Sequence, residues 1–175
     1  MAILQGCGAP PVTEEAPDTT KEPKTTVEGR ELTEIEQLLL QAETSTPIEK
    51  AEYTLQAAEG LFEQELYDQA NELLDGLNPL MLSVLREQQF WLLRARIASA
   101  QLQPQLSLDW LANLTQPDIL PPEQQRLRTD LEVTSLSLVG DSSAALNTLI
   151  EQSAMTSEEQ RPQLNETIWR LLESL

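Results

Sequence analysis

The side chains able to do chemistry in this sequence are carboxylates, guanidinium groups and one thiol. Among 175 residues there are 29 Asp and Glu, 11 Lys and Arg, a single Cys and no His. Without His there is no imidazole base, no Ser-His-Asp triad and no His-ligated zinc. A lone Cys excludes an intrachain disulfide and a CxxC site. The carboxylates Glu63, Glu65, Asp68, Glu72 and Asp75 crowd one stretch of chain. Their spacing is not that of a calcium-binding EF-hand loop, so a solvated acidic face is expected there. A glycan-cleaving enzyme needs two carboxylates set apart from the surface, with aromatic platforms for the sugar. No such pair stands out, and Phe, Tyr and Trp together make up only 4% of the chain. Gly29, Gly60, Gly76 and Gly140 are isolated, so no glycine-rich phosphate loop exists. The expectation is a non-catalytic protein with no cofactor and no metal site.

The net charge of −18 restricts partners as well. Nucleic-acid binding needs Lys and Arg to displace phosphate counterions, and docking on anionic lipid needs the same cations. Neither partner is expected. Every cation after Lys50 is an Arg. Arg pairs carboxylates through a planar, bidentate fork. Arg94 and Arg96 fall in a segment apolar on two sides, so at least one should be partly buried and paired. With Arg126 and Arg128 they form the candidate surface. Either they make interhelical ion pairs that hold neighbouring elements in register, or they line a groove for a carboxylate-bearing ligand.

The thiol belongs to a different context. Leu4-Gln5-Gly6-Cys7 resembles a bacterial lipobox, in which the Cys becomes the lipidated first residue after signal cleavage; the alternative is an ordinary Cys near a chain end. Only Ala2, Ile3 and Leu4 precede the motif as an apolar remnant, so the expectation is lipidation of Cys7 in the native protein with the signal cut short here. From Gly8 to Arg30 the chain holds Pro10, Pro11, Pro17 and Pro23 with Thr, Glu and Lys. Such a composition cannot bury enough surface to offset ordering entropy. Residues 1–30 are therefore expected to be a lipobox remnant and a disordered tether.

The elements that must position any site lie in residues 31–175, which read as helices. Thr33 with Glu36, and Thr46 with Pro47 and Glu49, are helix starts of the capping-box type. Ile48, Ala51, Leu55, Ala58 and Phe62 step by three and four. A short helix is expected over Tyr67 to Leu77. A long one should run from about Leu80 to Leu102, with Leu92 and Ala95 on one face and Phe90, Leu93 and Ile97 on another. Further helices are expected near Gln105–Leu114, Pro122–Val139, Ser142–Gln152 and up to Leu175. Long and short helices alternate. Ala70, Leu73 and Leu74 align with Ser107, Trp110 and Leu111, and a further shift of 39 reaches Leu146, Leu149 and Ile150. Leu55, Leu92 and Leu131 follow the same shifts. Repeats of this size indicate a tetratricopeptide-like helix-pair array, an α-solenoid, rather than a plain bundle. Trp110 and Trp169 are expected to pack in the core.

Leu4-Gln5-Gly6-Cys7, the tether, the degenerate helix pairs and the stretch Arg161-Pro162-Gln163-Leu164-Asn165-Glu166-Thr167-Ile168-Trp169-Arg170-Leu171-Leu172 together resemble the LpoA family of penicillin-binding-protein activators, outer-membrane lipoproteins of gammaproteobacteria. That resemblance implies a tetratricopeptide-like amino-terminal domain acting as spacer and protein-interaction module. It implies anchoring on the periplasmic side of the outer membrane and a class A penicillin-binding protein as partner, hence a role in peptidoglycan synthesis. In the family the activator contacts lie chiefly in a further domain shaped like a periplasmic binding protein, so Cys7 is the one position that carries over. The other reading is a tetratricopeptide-like scaffold that binds a different cell-envelope protein.

Overall fold

The computed structural model describes residues 33–155, the strand residues Thr26, Val27, Arg30 and Glu31, and the single positions Asn165, Ile168 and Trp169. The chain falls into two units, Met1–Leu32 and Thr33–Leu175. In the first, β1 (Thr26–Val27) and β2 (Arg30–Glu31) pair antiparallel, Thr26 opposite Glu31 and Val27 opposite Arg30. These strands fall at the end of the tract expected to be an unpaired linker. Strands of two residues contribute little stability by themselves. Cys7 and the lipobox lie outside the described residues.

The second unit is all-helical. Its helices are α1 (Glu34–Thr44), α2 (Pro47–Glu63), α3 (Tyr67–Asp75), α4 (Val84–Ala100), α5 (Pro104–Leu111), α6 (Pro122–Leu138) and α7 (Ser142–Met155). Most of the helix expected to reach Leu175 lies outside the described residues, though Asn165, Ile168 and Trp169 are helical. Both expected capping boxes form: Thr33 N–H donates to Glu36 Oε2 at 2.8 Å, and Thr46 N–H to Glu49 Oε2 at 3.0 Å. Each satisfies donors that a helix start otherwise leaves without partners.

Consecutive helices pack as pairs, and the long helices α2, α4 and α6 also lie side by side. Gly60 permits a close approach in the first pair. A Cβ there would stand 3.1 Å from Ile35 Cγ1 of α1. The helix α4 is buried on two faces, as its sequence indicated. Phe90, Leu93 and Ile97 join a core with Leu55, Ala58, Leu74 and Leu77. Leu92 and Ala95 join a second core with Leu111 and Leu120. One helix thus shares its apolar surface between two repeats, the arrangement by which solenoids cover faces that a single pair leaves open.

The repeat is exact at its turns. The long helices start at Pro47, Val84 and Pro122, and the short ones at Tyr67, Pro104 and Ser142. Glu65, Leu102 and Gly140 hold left-handed backbone at φ 61°, 57° and 86°. Each is followed by a residue whose N–H bonds five positions back: Leu66 to Leu61, Gln103 to Ala98 and Asp141 to Leu136. This is the Schellman closure of a helix. All these landmarks recur at intervals of 37 and then 38 residues, 65 to 102 to 140 for example. The second interval is therefore 38, and the shift of 39 read from the sequence is one residue too long. Burial confirms the correction: Ala70, Ser107 and Ala145 are fully buried, and Leu74, Leu111 and Leu149 are buried. Ile150, which a shift of 39 would place inward, is 50% exposed.

The links between pairs repeat too. Pro79–Met81 and Pro117–Ile119 each form one turn of 3-10 helix. Leu82 N–H bonds to the Pro79 carbonyl and Leu120 N–H to the Pro117 carbonyl. Each turn drives the next leucine inward, Leu82 into the first core and Leu120 into the second. The helix expected from Leu80 accordingly begins only at Val84, where Ser83 accepts from Arg86 N–H as its cap.

Candidate functional site

The polar residues that the fold gathers lie on a seam across α2, α4 and α6. Arg86 stands near its centre. Its Nε donates to Glu52 Oε2 at 2.9 Å, and its Nη1 donates to Glu59 Oε1 at 3.1 Å and to Gln89 Oε1 at 2.8 Å. Gln89 Nε2 then donates to Gln124 Oε1 of α6 at 3.1 Å. One hydrogen-bonded chain therefore crosses all three long helices. Helical spacing makes this possible, because Glu52 and Glu59 are seven residues apart and share a face of α2. Arg96 extends the seam, with Nη2 3.3 Å from Glu63 Oε1 and its guanidinium carbon 4.2 Å from the centre of the Phe62 ring.

A second cluster links α3, α4 and α5. Arg94 pairs with Asp75 at 2.6 Å, and its guanidinium lies 5.1 Å from the Trp110 ring and 5.5 Å from Phe90. Trp91 stacks on Trp110 with centroids 5.7 Å apart and planes tilted by 20°. Stacking and cation–π contact use the ring faces that would otherwise be open to a ligand. Trp110 thus packs as expected. Trp169 does not, being 66% exposed.

The four arginines singled out in the sequence divide between these places. Arg94 and Arg96 make interhelical pairs to the preceding repeat. Arg128 pairs within α6, 2.9 Å from Glu132. Arg126 lies close enough to Asp130 to lower its pKa, against a larger rise from desolvation of that carboxyl. Arg86 pairs with two carboxylates of α2, and no local spacing marks it in the sequence, since those partners lie 34 and 27 residues away. The acidic face is partly consumed as well. Glu63 holds Arg96, Asp75 holds Arg94, and Asp68 accepts from Gln101 Nε2 at 2.8 Å. Among the described residues no group of His, Cys, Asp and Glu is arranged to hold a metal ion, and no helix is long and apolar enough to cross a membrane. The described polar clusters clamp helix to helix.

Comparison with known proteins gives a family match and a match among solved structures. Residues 29–175 match a family model described as "LppC putative lipoprotein". Among solved structures, a monoclinic form of Haemophilus influenzae LpoA matches at a TM-score of 0.49 and 21% identity, over 82% of this chain and 26% of that one. The chain thus spans about a quarter of the length of that structure. No curated protein matches.

Proposed function

Because the chain belongs to the LppC lipoprotein family, matched over residues 29–175, we propose that it supplies the helical amino-terminal domain of a lipoprotein that activates a class A penicillin-binding protein. In this reading Cys7 carries the lipid on the periplasmic side of the outer membrane, and residues 8–30 are the tether. The helix-pair array is a spacer and interaction module, with no catalytic step of its own. The family match carries the proposal. The clamps give it a physical basis, because a spacer must transmit position. The Arg86 chain across α2, α4 and α6 and the Arg94–Asp75 pair resist sliding of one helix pair over the next. The acidity adds to it, since a net charge of −18 repels anionic lipid surfaces, an effect that salt screens.

The test replaces residues 31–175 in the cellular protein by an unstructured spacer of the same residue count and measures peptidoglycan synthesis in cells that depend on this activator. Loss of synthase activation is expected. Unchanged activation would overturn the spacer reading. Substituting Cys7→Ser tests the anchor separately: the protein should leave the membrane fraction and lose incorporation of labelled fatty acid.

A further inference from the structure

The interval between repeats lengthens from 37 to 38 residues inside one link, and the hydrogen bonds locate the added residue. Leu77 N–H bonds to the Leu74 carbonyl and Leu114 N–H to the Leu111 carbonyl, a shift of 37. Met81 N–H bonds to the Asn78 carbonyl and Ile119 N–H to the Gln116 carbonyl, a shift of 38. Leu77 is followed by Asn78 and Pro79, whereas Leu114 is followed by Thr115, Gln116 and Pro117. Thr115 is therefore the addition. The two links also differ in how their 3-10 turns are held. Asn78 Oδ1 accepts from Leu80 N–H at 3.1 Å, while the Gln116 side chain makes no such bond. Instead the Gln116 N–H donates at 3.0 Å to Oε1 of Gln88, a fully buried side chain of α4. Counting back 37 residues from Gln88 reaches Ala51 of α2, which has no acceptor to offer.

We infer that Thr115 and Gln88 are a matched pair: the first lengthens the link, and the second draws the lengthened link back onto α4, fixing the register in which α6 docks. An unrestrained insertion in an exposed link bulges outward at little cost, because loop closure depends only weakly on length. It does not hold the residues beyond it in their repeat positions. Here they are held. Leu120 reaches the second core as Leu82 reaches the first, and α6 starts at Pro122 as α4 starts at Val84. Gln88 supplies the restraint from a packed helix. Burying a Gln side chain is unfavourable unless its polar atoms are bonded. Gln88 Oε1 is bonded to the link, and its Nε2 finds no acceptor among the described residues. An apolar side chain of similar volume would fill the same space without that cost, so packing alone does not account for a Gln at this position, and the bond to the link does. This inference stands on the repeat geometry and is independent of the synthase reading.

The test is urea unfolding of the full chain in four forms: unchanged, Gln88→Ala, Thr115 deleted, and both changes together. The deletion leaves Leu114-Gln116-Pro117, the length of Leu77-Asn78-Pro79. Each single change should lower the folding equilibrium constant at least about tenfold, the size of one buried polar group left without its partner. The double variant reproduces the Ala51 arrangement of the first link and should recover most of that loss. Losses that multiply in the double variant would overturn the proposal. Gln88→Met gives a second readout, whether or not the shortened chain folds. It keeps the volume and removes the acceptor, so the Gln116 amide should exchange with deuterium at least about tenfold faster while the Leu93 amide in α4 is unchanged. No rise at Gln116, or an equal rise at Leu93 as a general loss of stability would give, would also overturn it.

Discussion

Arg94 and Asp75 form a 2.6 Å ion pair that fastens the end of α3 to the middle of α4, with the Arg side chain 9% exposed and the Asp side chain 72% exposed. The pair is unequal, and so are the expected costs of breaking it. Asp75→Ala leaves a buried guanidinium with its two ring contacts, and water screens the lost partner; destabilisation of about 1 kcal/mol is expected. Arg94→Ala also removes packing against Trp110 and Phe90 and should cost about 2–4 kcal/mol. Arg94→Met keeps the volume and removes the buried charge, so it should cost less than Arg94→Ala. Urea unfolding of the three variants checks the order.

Leu82 and Leu120 should be equivalent anchors. Each follows a 3-10 turn and enters a separate core. Replacing either by Ala should cost about 2–5 kcal/mol. Leu80, on the outside of its turn and largely exposed, should tolerate Ala within about 0.5 kcal/mol. Hydrogen exchange distinguishes the two sites. Leu82→Ala should raise exchange first in α2 and α3, and Leu120→Ala first in α5 and α6.

The left-handed turn positions give predictions of opposite sign. Leu102 holds φ 57° and is 81% exposed, so it bears the steric cost of that conformation with little packing in return. Leu102→Gly should stabilise by up to about 1 kcal/mol, the relief of strain being partly offset by the freer unfolded chain. Gly140→Ala, at φ 86°, should destabilise by about 1–2 kcal/mol. Thermal melts of the two variants should move in opposite directions.

Two carboxyls make stability depend on pH in opposite senses. The Thr46 hydroxyl and N–H bond to Glu49 and hold its pKa below the ordinary 4.5. Its contribution is present above that value and is lost as the pH falls through the lower folded value. Glu49→Gln should therefore reduce stability at neutral pH and have progressively less effect in acid. Asp130 is exposed as a residue, yet the surrounding protein desolvates its carboxyl enough to raise its pKa above the ordinary 3.8, the Arg126 charge offsetting part of the rise. The folded state then favours the protonated form, so stability falls as the pH rises from the ordinary value through the raised one. Asp130→Asn should stabilise at neutral pH and be neutral in acid. Melting temperatures across that range test both signs.

Much of this fold is legible in the sequence because its signals are local. Thr33 with Glu36 and Thr46 with Glu49 announce their helices within three residues, and the double apolar pattern of α4 reveals a helix with neighbours on two sides. The register of the third repeat is not legible in this way. Leu146, Leu149 and Ile150 are all aliphatic, so a slip of one residue still matches apolar with apolar; only tertiary burial separates Leu149, 3% exposed, from Ile150. The 3-10 turns at Pro79 and Pro117 are too short to carry a period. Arg86 was hidden for another reason. Its partners on α2 come near only after two helix pairs have stacked, and no local spacing encodes that.

The claim that the array works through its stacked length is tested most directly by removing one repeat in register. Deleting residues 84–121 joins Ser83, the cap of α4, to Pro122, the first residue of α6. The shortened protein should keep its helical circular dichroism, because each landmark retains its place in the repeat. Under the proposed function, peptidoglycan synthesis should fall in cells that carry only the shortened protein, and a repeat duplicated in place of the one removed should restore it. A folded, shortened protein that supports synthesis at the full rate would contradict the account.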